Sequence, residues 1–340
     1  MQSFDVNTPT ESRFRRWHLP VLVVLAVAAI LIVLNRRAQT MAYQNNEGMI
    51  FGTVYHVKYQ HPTTLEKEIL ETLNAVDGSL SMFNPQSTIS RINRGETQET
   101  DTLLEQVWDI AQRVSEATDG AFDPTCAPLV NAWGFGFKHG ELPTTEQVDS
   151  LRALVDWHKI SLEDHRLVKD DERMVLDFSA VAKGFGVDQV ARLLEKKGVT
   201  NYMVEIGGEV VTKGLNPKGN AWCIGIAKPV EDSTSTNNEL QRTFEMHDCA
   251  VATSGNYRNY YVRDGRKISH TIDPKSGEPV RHSLLSSTVW APTCAMADAY
   301  ATAFMVVGVE RAKEILKQHP ELRVYFIYED EAHELQTYEQ

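Results

Sequence analysis

Two segments near the C-terminus hold the residues with the clearest chemistry: SHTIDPKSGEP from Ser269 to Pro279, and the small-residue run ADAYATA from Ala297 to Ala303. Asp298 and Thr302 stand four apart, so on a helix a carboxylate and a hydroxyl project from one face. Two such oxygens suit a hard cation and make half of a magnesium site. The same spacing also arises on ordinary solvated helix faces, so the pair needs context. His270 is the best-suited proton handler, because imidazole is the side chain whose unperturbed pKa lies near neutrality. A lone histidine serves structural or surface roles as readily.

The context lies upstream, in DFSAVAKGFGVD from Asp177 to Asp188. A β-type run, Met174, Val175 and Leu176, ends at an acid, and a small-residue turn with Lys183, Gly184 and Gly186 opens a helix that stops near Gly198. A helix start offers backbone N–H groups and a positive dipole to phosphate, and Lys183 would neutralise it. The GxxxxGK[ST] pattern of a Walker loop is absent, and glycines at such a turn also serve tight packing.

DFSAVAKGFGVD, VEIGGEV (Val204 to Val210), TSGNYRNYY (Thr253 to Tyr261), SHTIDPKSGEPV and ADAYATA follow one another in an order and at spacings that resemble the FAD:protein FMN transferase (ApbE) family. The likeness runs from about Gly52 to about Phe326 and includes DGAFDPT (Asp119 to Thr125) and NAWGFG (Asn131 to Gly136). The resemblance implies magnesium-dependent cleavage of FAD, with the FMN moiety passed to a Thr or Ser hydroxyl of an acceptor protein and AMP released. It adds the Ala180 carbonyl to Asp298 and Thr302 as a metal ligand. It also implies contacts to FAD from Phe83, Ala121, Phe122, Asp123, Asp177, Lys183 and Ile272, and from Phe51, where Met is common in the family. His270 and Asp298 are the catalytic candidates. Asn256, Tyr257 and Arg258 would shape the site or an acceptor groove. Two other readings share the pocket: a metal-dependent FAD pyrophosphatase giving FMN and AMP, and a non-catalytic flavin-binding protein that would not need Asp298 or Thr302.

These residues must be positioned by a mixed set of elements. Gly52 to Lys58 alternates as a strand should, and Thr63 to Glu66 reads as a capping box before a helix carrying Leu65, Ile69, Leu73, Val76 and Leu80. Asp101 or Thr102 caps a second helix that ends at Asp119 and Gly120, and a third starts at Thr144. Strands are expected at Tyr202 to Ile206, Trp222 to Ala227 and Val324 to Tyr328. Gly207 and Gly208 mark a close backbone approach or a strand-end turn, and Glu231 to Glu239 is a surface loop. Without regular βαβ alternation the fold class is α+β: a single mixed α/β catalytic domain with a flavin cleft over 48–340.

Leu19 to Leu34 is an apolar run flanked by Arg13, Arg15, Arg16, Arg36 and Arg37. At about 1.5 Å per residue it spans about 24 Å, short of a bilayer core of about 30 Å but extendable by Trp17 and snorkelling arginines. It is expected to be an uncleaved transmembrane anchor over 19–34, after a short tail (1–18) and before a stalk (35–47). That places the chain in the inner membrane as a single-pass protein with its domain in the periplasm, and the resemblance implies an acceptor among membrane electron-transport subunits.

The whole chain has 340 residues, 42% hydrophobic and 24% charged, which is ordinary globular composition. A net charge of -12 argues against a nucleic-acid partner, whose binding needs clustered Lys and Arg. It also means that an anionic dinucleotide needs a metal or local cations to be held. Cys126, Cys223, Cys249 and Cys294 lack CxxC spacing, so a zinc site is not indicated and buried thiols are expected.

Overall fold

The computed structural model describes residues 20–31, 41–136, 142–229, 239–256, 260–263 and 266–340. The 1–18 tail, the ends of the 19–34 run, Tyr257, Arg258 and most of the expected 231–239 loop lie outside them. Residues 20–31 form an exposed helix, α1. Among the described residues no helix is long and apolar enough to cross a membrane.

Eight strands build one antiparallel sheet. In spatial order they are β1 (Tyr43–Ile50), β2 (Thr53–Gln60), β5 (Tyr202–Ile206), β6 (Glu209–Lys213), β9 (Ala250–Gly255), β12 (Leu284–Ala291), β13 (Arg323–Glu329) and β14 (Leu335–Glu339). Two-stranded ribbons flank it: β3 (Ile160–Glu163) with β4 (Arg166–Lys169), β7 (Trp222–Ala227) with β8 (Leu240–Met246), and β10 (Tyr260–Arg263) with β11 (Arg266–Ser269). β1 begins at Tyr43, so the sheet reaches into the segment read from sequence as a stalk. Two hairpins close with two-residue turns that need left-handed backbone. Phe51 and Gly52 join β1 to β2 with φ of 51° and 73°, and Gly207 and Gly208 join β5 to β6 with φ of 61° and 103°.

The remaining helices are α2 (Glu66–Leu80), α3 (Thr88–Asn93), α4 (Thr102–Ala117), α5 (Ala127–Ala132), α6 (Thr145–Arg152), α7 (Ala182–Lys196) and α8 (Cys294–Leu316), the last interrupted at Gly308 by a φ of 74°. α8 packs on β9 and β12, and α7 lies between α8 and α2. The largest core fills the space among α2, α4, α8 and the sheet with Leu104, Trp108, Phe178, Phe304 and Phe326. A separate cluster around Trp222, Met246, Trp290 and Tyr325 joins the β7–β8 ribbon to the sheet.

Side-chain hydrogen bonds set where the helices start. Asp101 caps α4 by accepting from the Leu103 and Leu104 N–H groups, and the Thr144–Gln147 capping box opens α6. The box expected at Thr63 to Glu66 is not formed. Leu65 takes the cap position of α2 and donates its N–H to the buried Tyr59 hydroxyl instead. Met174 to Leu176 joins no sheet, because the Asn93 side chain meets both backbone groups of Leu176: it accepts from the N–H at 2.9 Å and donates to the carbonyl at 2.8 Å. The cysteines carry no disulfide. Cys294 is buried and Cys126 and Cys249 are half-buried, but Cys223 is exposed on β7, against the expectation of buried thiols.

Candidate active site

The site begins with how α8 starts. Thr293 accepts from the Met296 N–H, and the buried Asp188 carboxylate on α7 accepts from the Cys294 and Ala295 N–H groups, each at 2.9 Å. Small buried residues then line α8: Ala295, Ala297, Ala299, Ala301 and Ala303. They let α7 come close, and Gly184 completes the fit. A Cβ built there would lie 2.3 Å from the Cys294 carbonyl oxygen. The lysine-glycine turn and ADAYATA are therefore two halves of one helix contact.

That contact brings charge together. Asp298 accepts from the Gly184 N–H at 3.1 Å. Lys183 Nζ lies 3.2 Å from Glu209 Oε1 and 3.7 Å from Asp298 Oδ2. Both carboxylates are buried, with side-chain exposures of 4% and 3%, whereas Lys183 at 28% keeps an opening to the cavity. Burial would lower the Lys183 pKa, but Asp298 and Glu209 hold it above the ordinary lysine value. Burial pushes the Glu209 carboxyl up, against the pull of Lys183. Glu209 Oε2 is buried and has no hydrogen-bond partner among the described residues.

These groups form part of the wall of a cavity of about 600 Å³. Of the residues singled out in the sequence, Ala121, Phe122, Asp123, Asp177, Ala180, Lys183, His270, Ile272, Asp298 and Thr302 all line it. Phe51 and Phe83 do not. Phe51 sits in the β1–β2 turn with its ring against Gly186, and Phe83 is 76% exposed. Glu209, Thr253, Ser254 and Thr271 are lining residues that sequence reasoning missed. A Glu directly after the glycine pair of VEIGGEV was the one available signal.

Two further motifs support the segment that carries His270. The Trp133 indole of NAWGFG donates to the Gly277 carbonyl of SHTIDPKSGEP at 2.8 Å, which ties the segments together. Phe135 packs on Tyr261 with ring centroids 5.1 Å apart and meets His270 edge-on at 6.2 Å, so an aromatic shelf sets the imidazole at the cavity. Asp123 is more a brace than a free hook: Oδ1 accepts from the Thr125 N–H and hydroxyl, and Oδ2 from the Trp157 N–H. Burial raises its pKa while those bonds pull it down. Asp177 accepts from the Ser179 N–H and hydroxyl, fixing the turn that precedes α7.

The donor set suits a hard cation. Asp298, the Thr302 hydroxyl, which lies 3.1 Å from Ser254 Oγ, and Ala180 share the cavity, and all would offer oxygen. Among the described residues no three His, Cys, Asp or Glu side chains cluster as a metal site. A cation would therefore complete its shell with water and ligand phosphate.

Comparison with known proteins matches residues 51–326 to the ApbE family. The chain belongs to the ApbE family. It is 38% identical over 312 residues to the FAD:protein FMN transferase of Vibrio cholerae, covering 88% of this chain and 90% of that protein. It is 36% identical over 295 residues to the protein of the same name from Escherichia coli K12, covering 83% of each. The solved flavin transferase ApbE from Vibrio cholerae superposes with a TM-score of 0.79 at 36% identity, over 88% of this chain and 97% of that one. The apo flavinyl transferase ApbE of Pseudomonas stutzeri gives a TM-score of 0.79 at 32% identity, over 88% and 95%. Membership accounts for the single α+β domain and for the joining of motifs far apart in this ApbE-family chain.

Proposed function

We propose that this ApbE-family chain transfers the FMN moiety of FAD to a Thr or Ser hydroxyl of an acceptor protein and releases AMP. The observation that carries the reading is one cavity that unites oxygen donors (Asp298, Thr302, Ala180), a cation (Lys183), an imidazole (His270) and an apolar wall (Phe122, Ile272). The acceptor oxygen forms a bond to the phosphorus of the FMN half. The bond from that phosphorus to the bridging oxygen breaks, and AMP leaves with the oxygen. His270 takes the hydroxyl proton, Lys183 faces the pyrophosphate charge, and Phe122 and Ile272 wall the flavin. Asp298, Thr302 and the Ala180 carbonyl would hold magnesium, which when bound supplies charge neutralisation at the pyrophosphate.

The reading extends to location. The 19–34 run and its flanking arginines support a single-pass anchor in the inner membrane with the domain in the periplasm, close to a membrane electron-transport acceptor. Protease added to spheroplasts should digest the domain; protection until lysis would reverse this topology. The activity itself is tested by incubating a candidate acceptor with FAD and magnesium and reading flavin on the protein.

A further inference from the structure

Lys183 is shared unequally between two carboxylates. Its ammonium is within hydrogen-bond distance of Glu209 Oε1 at 3.2 Å but stands 3.7 Å from Asp298 Oδ2, where only an ion pair remains. The three elements meet at fixed points: Lys183 in the first turn of α7, Glu209 at the start of β6, and Asp298 on α8. Asp298 Oδ2, the carboxylate oxygen nearest Lys183, already accepts from the Gly184 N–H. If Glu209 carried no charge, the flexible lysine would have one strong partner left, and it would close on Asp298. An ammonium seated on that carboxylate competes with a divalent cation for the same oxygens.

We propose that Glu209 is a positioning residue that holds the Lys183 ammonium off Asp298 and thereby keeps the Asp298 carboxylate open to a divalent cation. The inference rests on the reading of Asp298 as a cation ligand. A second observation points the same way: Glu209 lines the cavity, and its Oε2 is buried with no hydrogen-bond partner among the described residues. A buried carboxylate oxygen without a donor is destabilising by about 1–3 kcal/mol or more. A donor entering the cavity, such as water on a bound cation, would satisfy it.

The test is a double-mutant cycle read by cation binding, with no acceptor and no turnover. The full-length protein is loaded with FAD and titrated with Mn2+, and the loss of the free Mn2+ paramagnetic resonance signal gives affinity. Glu209→Gln should weaken Mn2+ binding roughly tenfold, equivalent to about 1.4 kcal/mol. In a Lys183→Met background the same Glu209→Gln change should alter it by less than about twofold, because no ammonium remains to be held. A simple loss of negative charge would instead weaken binding equally in both backgrounds, and that additive result would overturn the proposal. Thermal melts without cation identify any variant that fails to fold. If the single Lys183→Met protein is unstable, Lys183→Gln, which keeps a hydrogen-bond donor but no ammonium, replaces it as the background. Glu209→Gln should then again alter Mn2+ binding by less than about twofold, and a roughly tenfold change would overturn the proposal. Wild-type protein that binds no Mn2+ would overturn the cation-site reading itself, which is a distinct outcome.

Discussion

Asp298 accepts a hydrogen bond from the Gly184 N–H at 3.1 Å, so the carboxylate proposed to meet the cation is fastened to the turn that presents Lys183. Gly184→Ala should break this arrangement. The new methyl would lie 2.3 Å from the Cys294 carbonyl oxygen and 2.9 Å from the Ala295 nitrogen, all backbone, so α8 must shift. Overpacking of this kind is destabilising by about 1–3 kcal/mol. A denaturant midpoint equal to wild type would show that the two helices are not in this contact.

Asp298 separates activity from stability. It is only 2% exposed, so Asp298→Ala disturbs the fold as well as the chemistry. That change leaves the buried Gly184 N–H without its acceptor and should lower stability by about 1–3 kcal/mol. Asp298→Asn keeps an acceptor oxygen and should fold with a smaller loss, yet reduce metal-dependent turnover at least about a hundredfold. Turnover retained at the wild-type level in Asp298→Asn would remove Asp298 from the cation site.

Asp188 should leave a signature in the pH dependence of stability. Burial pushes its carboxyl up to about 6, opposed by the bonds from Ala295 and Cys294 and by Arg192. A carboxyl whose pKa is raised by folding binds its proton more tightly in the folded state. Its stabilising contribution is therefore present below the unfolded value of about 3.8 and is lost as pH rises through about 6. The full change is about 3 kcal/mol, at about 1.4 kcal/mol per pKa unit. Asp188→Asn should flatten the fall in unfolding free energy between about pH 4 and pH 6. Parallel profiles for the two proteins would show that Asp188 does not titrate in this range.

Much of the site was legible because it depends on local spacing. Asp298 and Thr302 share a helix face by the four-residue rule, and Lys183 opens a helix as the glycine-rich turn indicated. Glu209 was not legible as a partner. Its role comes from a β-strand placed beside two helices, a relation between distant segments that no local period encodes. The same limit explains Met174 to Leu176. There one asparagine side chain from α3 takes both backbone groups of Leu176, a tertiary contact that overrides propensity. Phe51 and Phe83 were named through family likeness alone, and the cavity wall does not include them.

His270→Ala should separate chemistry from binding. The imidazole stands at the cavity beside Phe135, and its removal takes away a proton acceptor without opening the apolar wall of Phe122 and Ile272. Transfer should slow by about 10²–10⁴-fold while FAD affinity changes by less than about threefold. Equal losses in both would make His270 a binding residue.

Transfer and hydrolysis compete at one phosphorus. The most direct measurement follows AMP and protein-bound flavin together, by chromatography and intact-mass spectrometry, with FAD and magnesium in the presence and absence of an acceptor bearing a reactive Thr or Ser. AMP release should be slow without acceptor, because the in-line position is unfilled, and with acceptor should give one AMP for each FMN attached to the protein. Rapid release of AMP and free FMN that is indifferent to acceptor would instead make the enzyme a pyrophosphatase.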